Sequence, residues 1–254
     1  HLMALGRLDE AAALEQEVYD LAERVLAERP GDLRSMRNRA LAADLLGVLA
    51  ERRHDYVASA MHATKAEAAG ENYVRFNPSE MTAWFYWIRG KGQLATALYE
   101  QGRMGDTLAM LRSAVALERD SRVPASLGAQ LNFTWSRIAG LEMRLGQQQA
   151  AQASFESAVK AHEQFLAQLP EGSVRRAVQA LPPDVWRARL ELWRGNDEAA
   201  LAISKSMIER LQGISTEAET LRVGEIRDNL LRFALSTASM AAIRLGRYEE
   251  AESL

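Results

Sequence analysis

The amino-acid sequence predicts an all-α protein, a right-handed superhelical solenoid of about five antiparallel helix pairs. Three observations favour this class. A motif made of a small apolar residue, Gly, a variable pair, acidic or Gln residues and Ala recurs along the chain. Ala and Leu recur at three- and four-residue spacing, whereas β-branched residues are sparse. Proline occurs six times, and several prolines stand where helices are expected to begin or end.

The recurrent motif is clearest near the two ends of the chain, where it reads LGRLDEA at 5–11 and LGRYEEA at 245–251. Weaker copies begin at Gly102, Gly146 and Gly195, and a degenerate copy begins at Gly47. Glycine ends helices readily because it adopts left-handed backbone angles without a steric penalty. The Ala five residues later allows helices to approach closely. Such repetition is typical of stacked units that bury their apolar faces against one another.

Each repeat is expected to hold a first helix, which ends at the turn glycine, and a second helix, which follows it. The first helices are predicted at 33–46, 79–101, 125–145, 183–194 and 216–245. The second helices are predicted at 8–29, 49–69, 104–120, 148–169 and 197–212, and another begins at Tyr248. Together they form a single array over 1–254, with units at 1–30, 31–70, 71–122, 123–172, 173–213 and 214–254.

Prolines justify several of these boundaries, because proline lacks the N–H that a helix interior needs and is tolerated in the first turn. In chain order, Pro30 follows LAERVLAER, Pro78 opens a helix after Asn77, Pro124 follows ERDSRV, Pro170 ends AHEQFLAQL, and Pro182 and Pro183 precede Asp184. The chain begins HLM and stops inside a repeat, so we expect it to be a fragment of a longer protein.

The unit near Trp135 resembles the tetratricopeptide repeat, whose pattern is W-x2-L-G-x2-Y, then A-x3-F, then P. Trp135-x2-Ile138-Ala139 stands for the first block, and Ala151-x3-Phe155 matches the second. The chain departs from the pattern in that Ala139 replaces Gly, Glu142 replaces Tyr, and Pro170 comes late. Glycines of the turns lie 41, 55, 44, 49 and 51 residues apart, against about 34 in the family, so the resemblance is to a degenerate, long-helix variant.

Composition and motifs argue against several classes of function. The net charge of −3 and the absence of a long Lys/Arg run disfavour nucleic acid, and no apolar run is long enough for a membrane span. Cysteine is absent, which fits the cytoplasm, although the periplasm stays open. Gly90-Lys91-Gly92 lacks phosphate-loop spacing, and His54 and His62 lie about 12 Å apart on one helix. We therefore expect no enzyme activity, cofactor or metal in this chain.

Two groups of residues are candidates for partner binding. The aromatic run Trp84–Trp87 points around a whole helix, so its rings either pack between repeats or anchor a partner. Trp186 and Trp193 pose the same question. Predicted first helices sum to a charge of +4 and second helices to −8. In the family that this chain resembles, first helices line the concave face. The candidate residues are Arg34, Arg37, Asn38, Arg89, Gln93, Thr96, Arg137, Arg144, Arg189 and Arg244, with Trp84 and Trp87.

A mildly basic groove would suit an acidic peptide or a C-terminal carboxylate, because Arg binds carboxylates through two parallel hydrogen bonds. The alternative is that these arginines are solvated or paired with nearby acids such as Asp44 and Glu142. The predicted function is a non-catalytic protein-interaction module or scaffold of a bacterial signalling protein. Alternatives are self-association through exposed repeat faces, and ligand sensing in a bacterial kinase, nucleotide cyclase or transcriptional regulator, which rests on resemblance alone.

Overall fold

The computed structural model describes residues 6–120, 122–124, 127–215 and 221–254, and within these residues it is helical without strands. The first six helices are α1 (Leu8–Glu28), α2 (Leu33–Arg52), α3 (Tyr56–Phe76), α4 (Met81–Glu100), α5 (Met104–Val115) and α6 (Gly128–Arg144). The next six are α7 (Gln148–Leu166), α8 (Val174–Gln179), α9 (Pro182–Arg194), α10 (Asp197–Gln212), α11 (Leu221–Arg244) and α12 (Tyr248–Ser253). Consecutive helices pack as neighbours, which confirms the all-α class.

The chain divides into two compact units, residues 1–134 (unit 1) and 135–254 (unit 2), and the division falls inside α6. Unit 1 has a core around Met36, Trp84 and Ile88, which α2 and α4 contribute. Unit 2 has a core around Leu181, Met207 and Leu211, from α9, α10 and the segment before α9. That all repeats form one solenoid remains a prediction.

Left-handed residues end the helices at the predicted turns. Gly102, Gly146, Gly195 and Gly246 all have φ between 73° and 82°. At Gly102 the N–H of the glycine donates to the carbonyl of Tyr99, and the next N–H, of Arg103, donates to Leu98. This pair of bonds satisfies carbonyls that the helix end would leave unpaired. The same pair recurs at the other three glycines, so the role predicted for them is confirmed.

The prediction that Gly47 marks a turn is wrong. Gly47 is buried inside α2, and a Cβ atom placed on it would lie 2.6 Å from the amide of Gln93. The turn lies at His54, which has φ 59° and makes the same two hydrogen bonds as the turn glycines. With His54 in place of Gly47, turn residues lie 48, 48, 44, 49 and 51 residues apart, a more regular repeat than glycines alone indicate.

The small residue five positions after a turn is buried at five turns, and Ala251, which follows Gly246, is half-buried. Ala11, Ser59, Thr107, Ala151 and Ala200 fill this position, and each is buried. Glycines allow a still closer approach between α3 and α4. A Cβ atom placed on Gly70 would lie 2.6 Å from the Cα of Trp87, and one placed on Gly90 would lie 2.7 Å from the backbone nitrogen of Glu67.

Several boundaries differ from the predicted ones. Because the turn lies at His54, α2 continues past the predicted end at 46 to Arg52, and α3 spans Tyr56–Phe76 where 49–69 is predicted. The helix predicted at 104–120 ends as α5 at Val115 and continues as a short 3-10 helix, Ala116–Arg119. The boundary predicted between repeats at 70/71 falls inside α3, whereas the repeat boundaries predicted at 30/31, 122/123, 172/173 and 213/214 fall between helices. The predicted helix starts at 125 and 216 lie outside the described residues.

Candidate binding surface

In unit 1, Arg89 and Gln93 connect α4 to α2. The Nε of Arg89 donates to Oδ1 of Asp44 over 2.7 Å, and the Nε2 of Gln93 donates to the main-chain carbonyl of Asp44 over 3.2 Å. Burial raises the pKa of the Asp44 carboxyl, although its bond to Arg89 lowers it in part. Both side chains therefore make hydrogen bonds within unit 1, and these bonds link its two predicted first helices, α2 and α4.

The remaining candidates on α2 and α4 differ in exposure. Arg34 and Arg37 are exposed on α2, and Asn38 is half-buried. Thr96 donates to the carbonyl of Gly92 within α4 over 3.1 Å. The basic residues that unit 1 presents to solvent on its first helices therefore lie mainly on α2.

The aromatic run on α4 is largely a packing element. Trp84 is fully buried, and its indole N–H donates to the carbonyl of Pro78 over 2.8 Å. The assignment of Trp84 to a partner surface is therefore corrected, because its whole side chain is enclosed in the core of unit 1. Trp87 is half-buried beside Trp84, with the Nζ of Lys91 5.6 Å from its ring. Its indole nitrogen is buried without a hydrogen-bond partner among the described residues.

In unit 2, Arg189 on α9 is half-buried, and its guanidinium lies 4.6 Å from the ring centroid of Phe233 on α11. Within the described part of the chain it makes no ion pair with a carboxylate. Burial lowers the pKa of the Arg189 guanidinium, and the positive charge of Arg144 on α6 lowers it further. The fold thus brings two predicted arginines from different helices into mutual repulsion.

The surface around Arg189 also carries apolar side chains. A Cβ atom placed on Gly140 of α6 would lie 2.7 Å from Cη2 of Trp193, so the indole rests on the α6 backbone. Trp193, Phe233 and Met240 are all exposed. We call the set Arg144, Arg189, Trp193 and Phe233 the unit 2 surface. Aromatic rings beside arginines are the residue types that dominate protein–protein contacts.

The other two predicted arginines of unit 2 differ from Arg189. Arg244 donates from Nη1 to the carbonyl of Leu192 over 2.7 Å and lies 3.4 Å from Oδ1 of Asp197, so it caps the end of α9. Arg137 is exposed on α6 and interacts with its surroundings. Glu142, which replaces the Tyr of the repeat pattern, is buried and accepts a hydrogen bond from Ser154 over 2.7 Å. That bond joins α6 to α7.

An open groove of about 540 Å³ lies between α3, α4 and α5 in unit 1, and sequence reasoning missed it. It is lined by Met61 of α3, by Leu94 and Leu98 of α4, and by Met110 of α5. Beside it, the Nζ of Lys91 donates to Glu67 over 2.6 Å and to Ser113 over 3.2 Å. The groove draws residues from three helices, so no single spacing along the chain indicates it.

One histidine of unit 2 is enclosed in the core, and no metal site accompanies it among the described residues. His162 on α7 is fully buried, its Nε2 bonds to the carbonyl of Gln179, and burial lowers the pKa of its imidazole. Among the described residues, no three His, Asp or Glu side chains are grouped so that they could hold a metal ion. None of the described helices combines the length and apolar character of a membrane span.

The fold defines the class of the protein as all-α, with helices packed in neighbouring pairs. No model of a known protein family matches the sequence, and no curated protein matches it either. Among solved structures, the crystal structure of BtubC (BKLC) from P. vanneervenii is similar, with a TM-score of 0.67. The two share 12% identity, and the match covers 97% of this chain and 87% of that one. At this identity the likeness shows the fold alone.

Proposed function

We propose that this chain is a protein-recognition module of the tetratricopeptide-repeat type, and that the unit 2 surface binds an acidic segment of a partner protein. The observation that carries the proposal is Arg189, a half-buried guanidinium without a carboxylate partner in the described part of the chain. A charge withdrawn from water costs free energy unless an opposite charge compensates it. An acidic partner side chain would provide that compensation.

The neighbours of Arg189 favour a peptide over an isolated anion. The guanidinium carbon of Arg189 lies 4.6 Å from the ring centroid of Phe233, so the cation contacts an aromatic ring and still has N–H groups to donate to a carboxylate. Trp193, four residues after Arg189 on α9, and Met240, seven residues after Phe233 on α11, are exposed and offer apolar contacts for the side chains next to an acidic residue. Charge and apolar area together suit a segment that carries both.

The fate of the other arginines supports the choice of unit 2. Arg89 and Arg244 are each paired within the chain, with Asp44 and with Asp197. A paired arginine offers little to a partner, because the incoming carboxylate would have to displace an existing one. Arg189 has no carboxylate partner among the described residues, and the positive charge of Arg144 lies near enough to lower the pKa of its guanidinium further.

The test is titration of the chain into a fluorescent Glu-rich peptide that also carries Leu and Phe, beside the same peptide with Gln in place of Glu. The Arg189→Gln variant should bind the acidic peptide about 10- to 100-fold more weakly, since hydrogen bonds to charged groups are worth about 1.5–3 kcal/mol. Arg187→Gln is the matched control, because Arg187 is exposed on the same helix and pairs weakly with Asp184.

Equal affinities of the Arg187→Gln and Arg189→Gln variants, or equal binding of the two peptides, would overturn the proposal. Capture from native lysate extends the test to a natural partner. A protein retained by the wild-type and Arg187→Gln baits and lost from an Arg144→Gln, Arg189→Gln double variant would be the ligand of this surface. Circular dichroism must show that all baits keep the same helicity.

A further inference from the structure

The N-terminal helix carries an apolar stripe that nothing in the described structure covers. Leu14, Val18 and Leu21 are 52%, 40% and 55% exposed. Their spacing of four and three residues places them within about 60° of one another on α1, along about 10 Å of its length. Apolar residues at this spacing form the contact seam of paired helices. We call these three residues the α1 seam.

The seam is separate from the face that holds α1 in the fold. Ala11, Ala22 and Leu26 are buried and lie about a quarter turn around the helix from the seam. The seam thus borders the packed face without taking part in it. A helix that contacts unit 1 on one face therefore presents a second apolar face to its surroundings.

Acidic residues of α1 on the side away from the seam already bind arginines of the next helical segment. Glu23 pairs with Arg39 over 2.9 Å, and Asp9 pairs with Arg53 over 2.7 Å at the end of α2. The Nζ of Lys65 on α3 also lies 5.2 Å from the ring of Tyr19. These contacts show the mode in which α1 binds a neighbour: apolar residues at the centre and cations of the neighbour against the acids of α1.

On the seam side Glu10 pairs with Arg7 before the start of α1, whereas two further acids make no ion pair. Glu17 and Glu28 are exposed and make no ion pair within the described residues, and Glu17 lies about 70° from the centre of the seam. A second copy of α1 would bring like charges together, and an anionic membrane would be repelled for the same reason. The charge that complements this face is positive.

We propose that the α1 seam is the docking site of a basic amphipathic helix in a partner protein, whose apolar residues cover Leu14, Val18 and Leu21 while its Lys or Arg residues contact Glu17 and Glu28. This site lies on unit 1 and does not depend on the unit 2 surface. Its partner has the opposite charge to the acidic segment proposed for Arg189.

The probe is a synthetic amphipathic helix with Leu at alternating four- and three-residue spacing and Lys on both flanks, labelled for fluorescence anisotropy. A counterpart with Glu in place of Lys is the control peptide. Val18→Asp should weaken binding of the Lys peptide at least tenfold, because it places a carboxylate at the centre of the apolar contact. Glu17→Lys should weaken it about two- to fivefold, the usual range for one exposed ion pair.

Val57→Asp is the matched control variant, since Val57 is 75% exposed on another helix, α3, and is not part of the α1 seam. It should leave the affinity unchanged. The proposal fails if the Lys and Glu peptides bind equally, or if Val18→Asp binds as tightly as Val57→Asp. It also fails if sedimentation shows that the chain alone dimerises and Val18→Asp dissolves the dimer, because the occupant would then be a second copy.

Discussion

Replacement of Gly90 by Ala tests the crossing of α3 and α4, where the two backbones approach closely. The added Cβ would lie 2.7 Å from the backbone nitrogen and 2.9 Å from the Cα of Glu67, whereas ordinary contacts begin at 3.4 Å. The obstacle is backbone and not a flexible side chain, so α3 must move by about 0.5–0.7 Å. Gly70 makes the reciprocal contact with the Trp87 backbone, which leaves α3 little freedom to move.

The magnitude follows from two opposing effects. Overpacking of a rigid contact costs up to about 3 kcal/mol, and the better helix propensity of Ala returns about 1 kcal/mol. We therefore expect Gly90→Ala to lower the free energy of unfolding by about 2 kcal/mol. Gly105→Ala is the control, because Gly105 is also helical, in α5, but has no atom within 4 Å of its Cβ position. It should stabilise by up to about 1 kcal/mol through propensity alone.

The assay is urea unfolding followed by circular dichroism, with the dependence on urea compared between variants. If the two units unfold in separate steps, only the step that belongs to unit 1 should move. Opposite signs for the two substitutions would establish the close crossing. A Gly90→Ala variant as stable as the wild type, with Gly105→Ala behaving as expected, would refute a contact at this distance.

Two further predictions concern histidines. His54→Gly should stabilise unit 1 by about 0.5 kcal/mol, since the left-handed φ of 59° strains a residue with a Cβ, while Gly102→Ala should destabilise it by about 1 kcal/mol. The urea midpoints of the two variants check both predictions. If both substitutions changed the stability in the same direction, the role given to the left-handed turns would be contradicted. Burial holds the pKa of His162 below its ordinary 6.5, so the folded protein binds fewer protons than the unfolded chain. Stability from this group is complete above about pH 6.5 and falls as the pH drops from there. Between about pH 7.5 and about pH 5.5 the free energy of unfolding should fall less in His162→Gln than in the wild type. Part of the fall should persist, because burial also lowers the pKa of His62. An equal fall in both proteins would contradict the role given to His162.

Much of the fold was predictable because its signals are local. Ala and Leu at helical spacing predict the helices, and Gly102, Gly146, Gly195 and Gly246 stand in the left-handed turns that the motif predicts. Gly47 was assigned wrongly because glycine has two uses, a left-handed turn and a close helix contact, which look alike in sequence. Which one applies depends on Gln93, a residue of another helix. His54 was missed because nothing local indicates that a non-glycine residue adopts a positive φ.

The binding surface was less predictable, because pairing depends on residues distant in sequence. Arg89 and Arg189 are both arginines on predicted first helices, and nothing in their neighbours along the chain separates them. Asp44, which neutralises Arg89, lies 45 residues away. Arg189 instead meets Phe233 and a second positive charge. Summed helix charges indicated the sign of the surface, but the choice of arginine needed the tertiary structure.

The charge excess of the second helices has a specific origin that links the two proposals. Much of it lies in α1, where Asp9 and Glu23 pair with arginines of the α2 segment and Glu17 and Glu28 border the α1 seam. Unit 1 thus presents an acidic apolar face, and unit 2 presents a basic aromatic one. Because the two surfaces differ in sign and share no residue, each serves as the control for the other. Arg189→Gln should leave binding of the Lys peptide unchanged, and Glu17→Lys should leave binding of the Glu-rich peptide unchanged. Loss of both affinities in either variant would mean that net charge, and not two defined sites, governs binding.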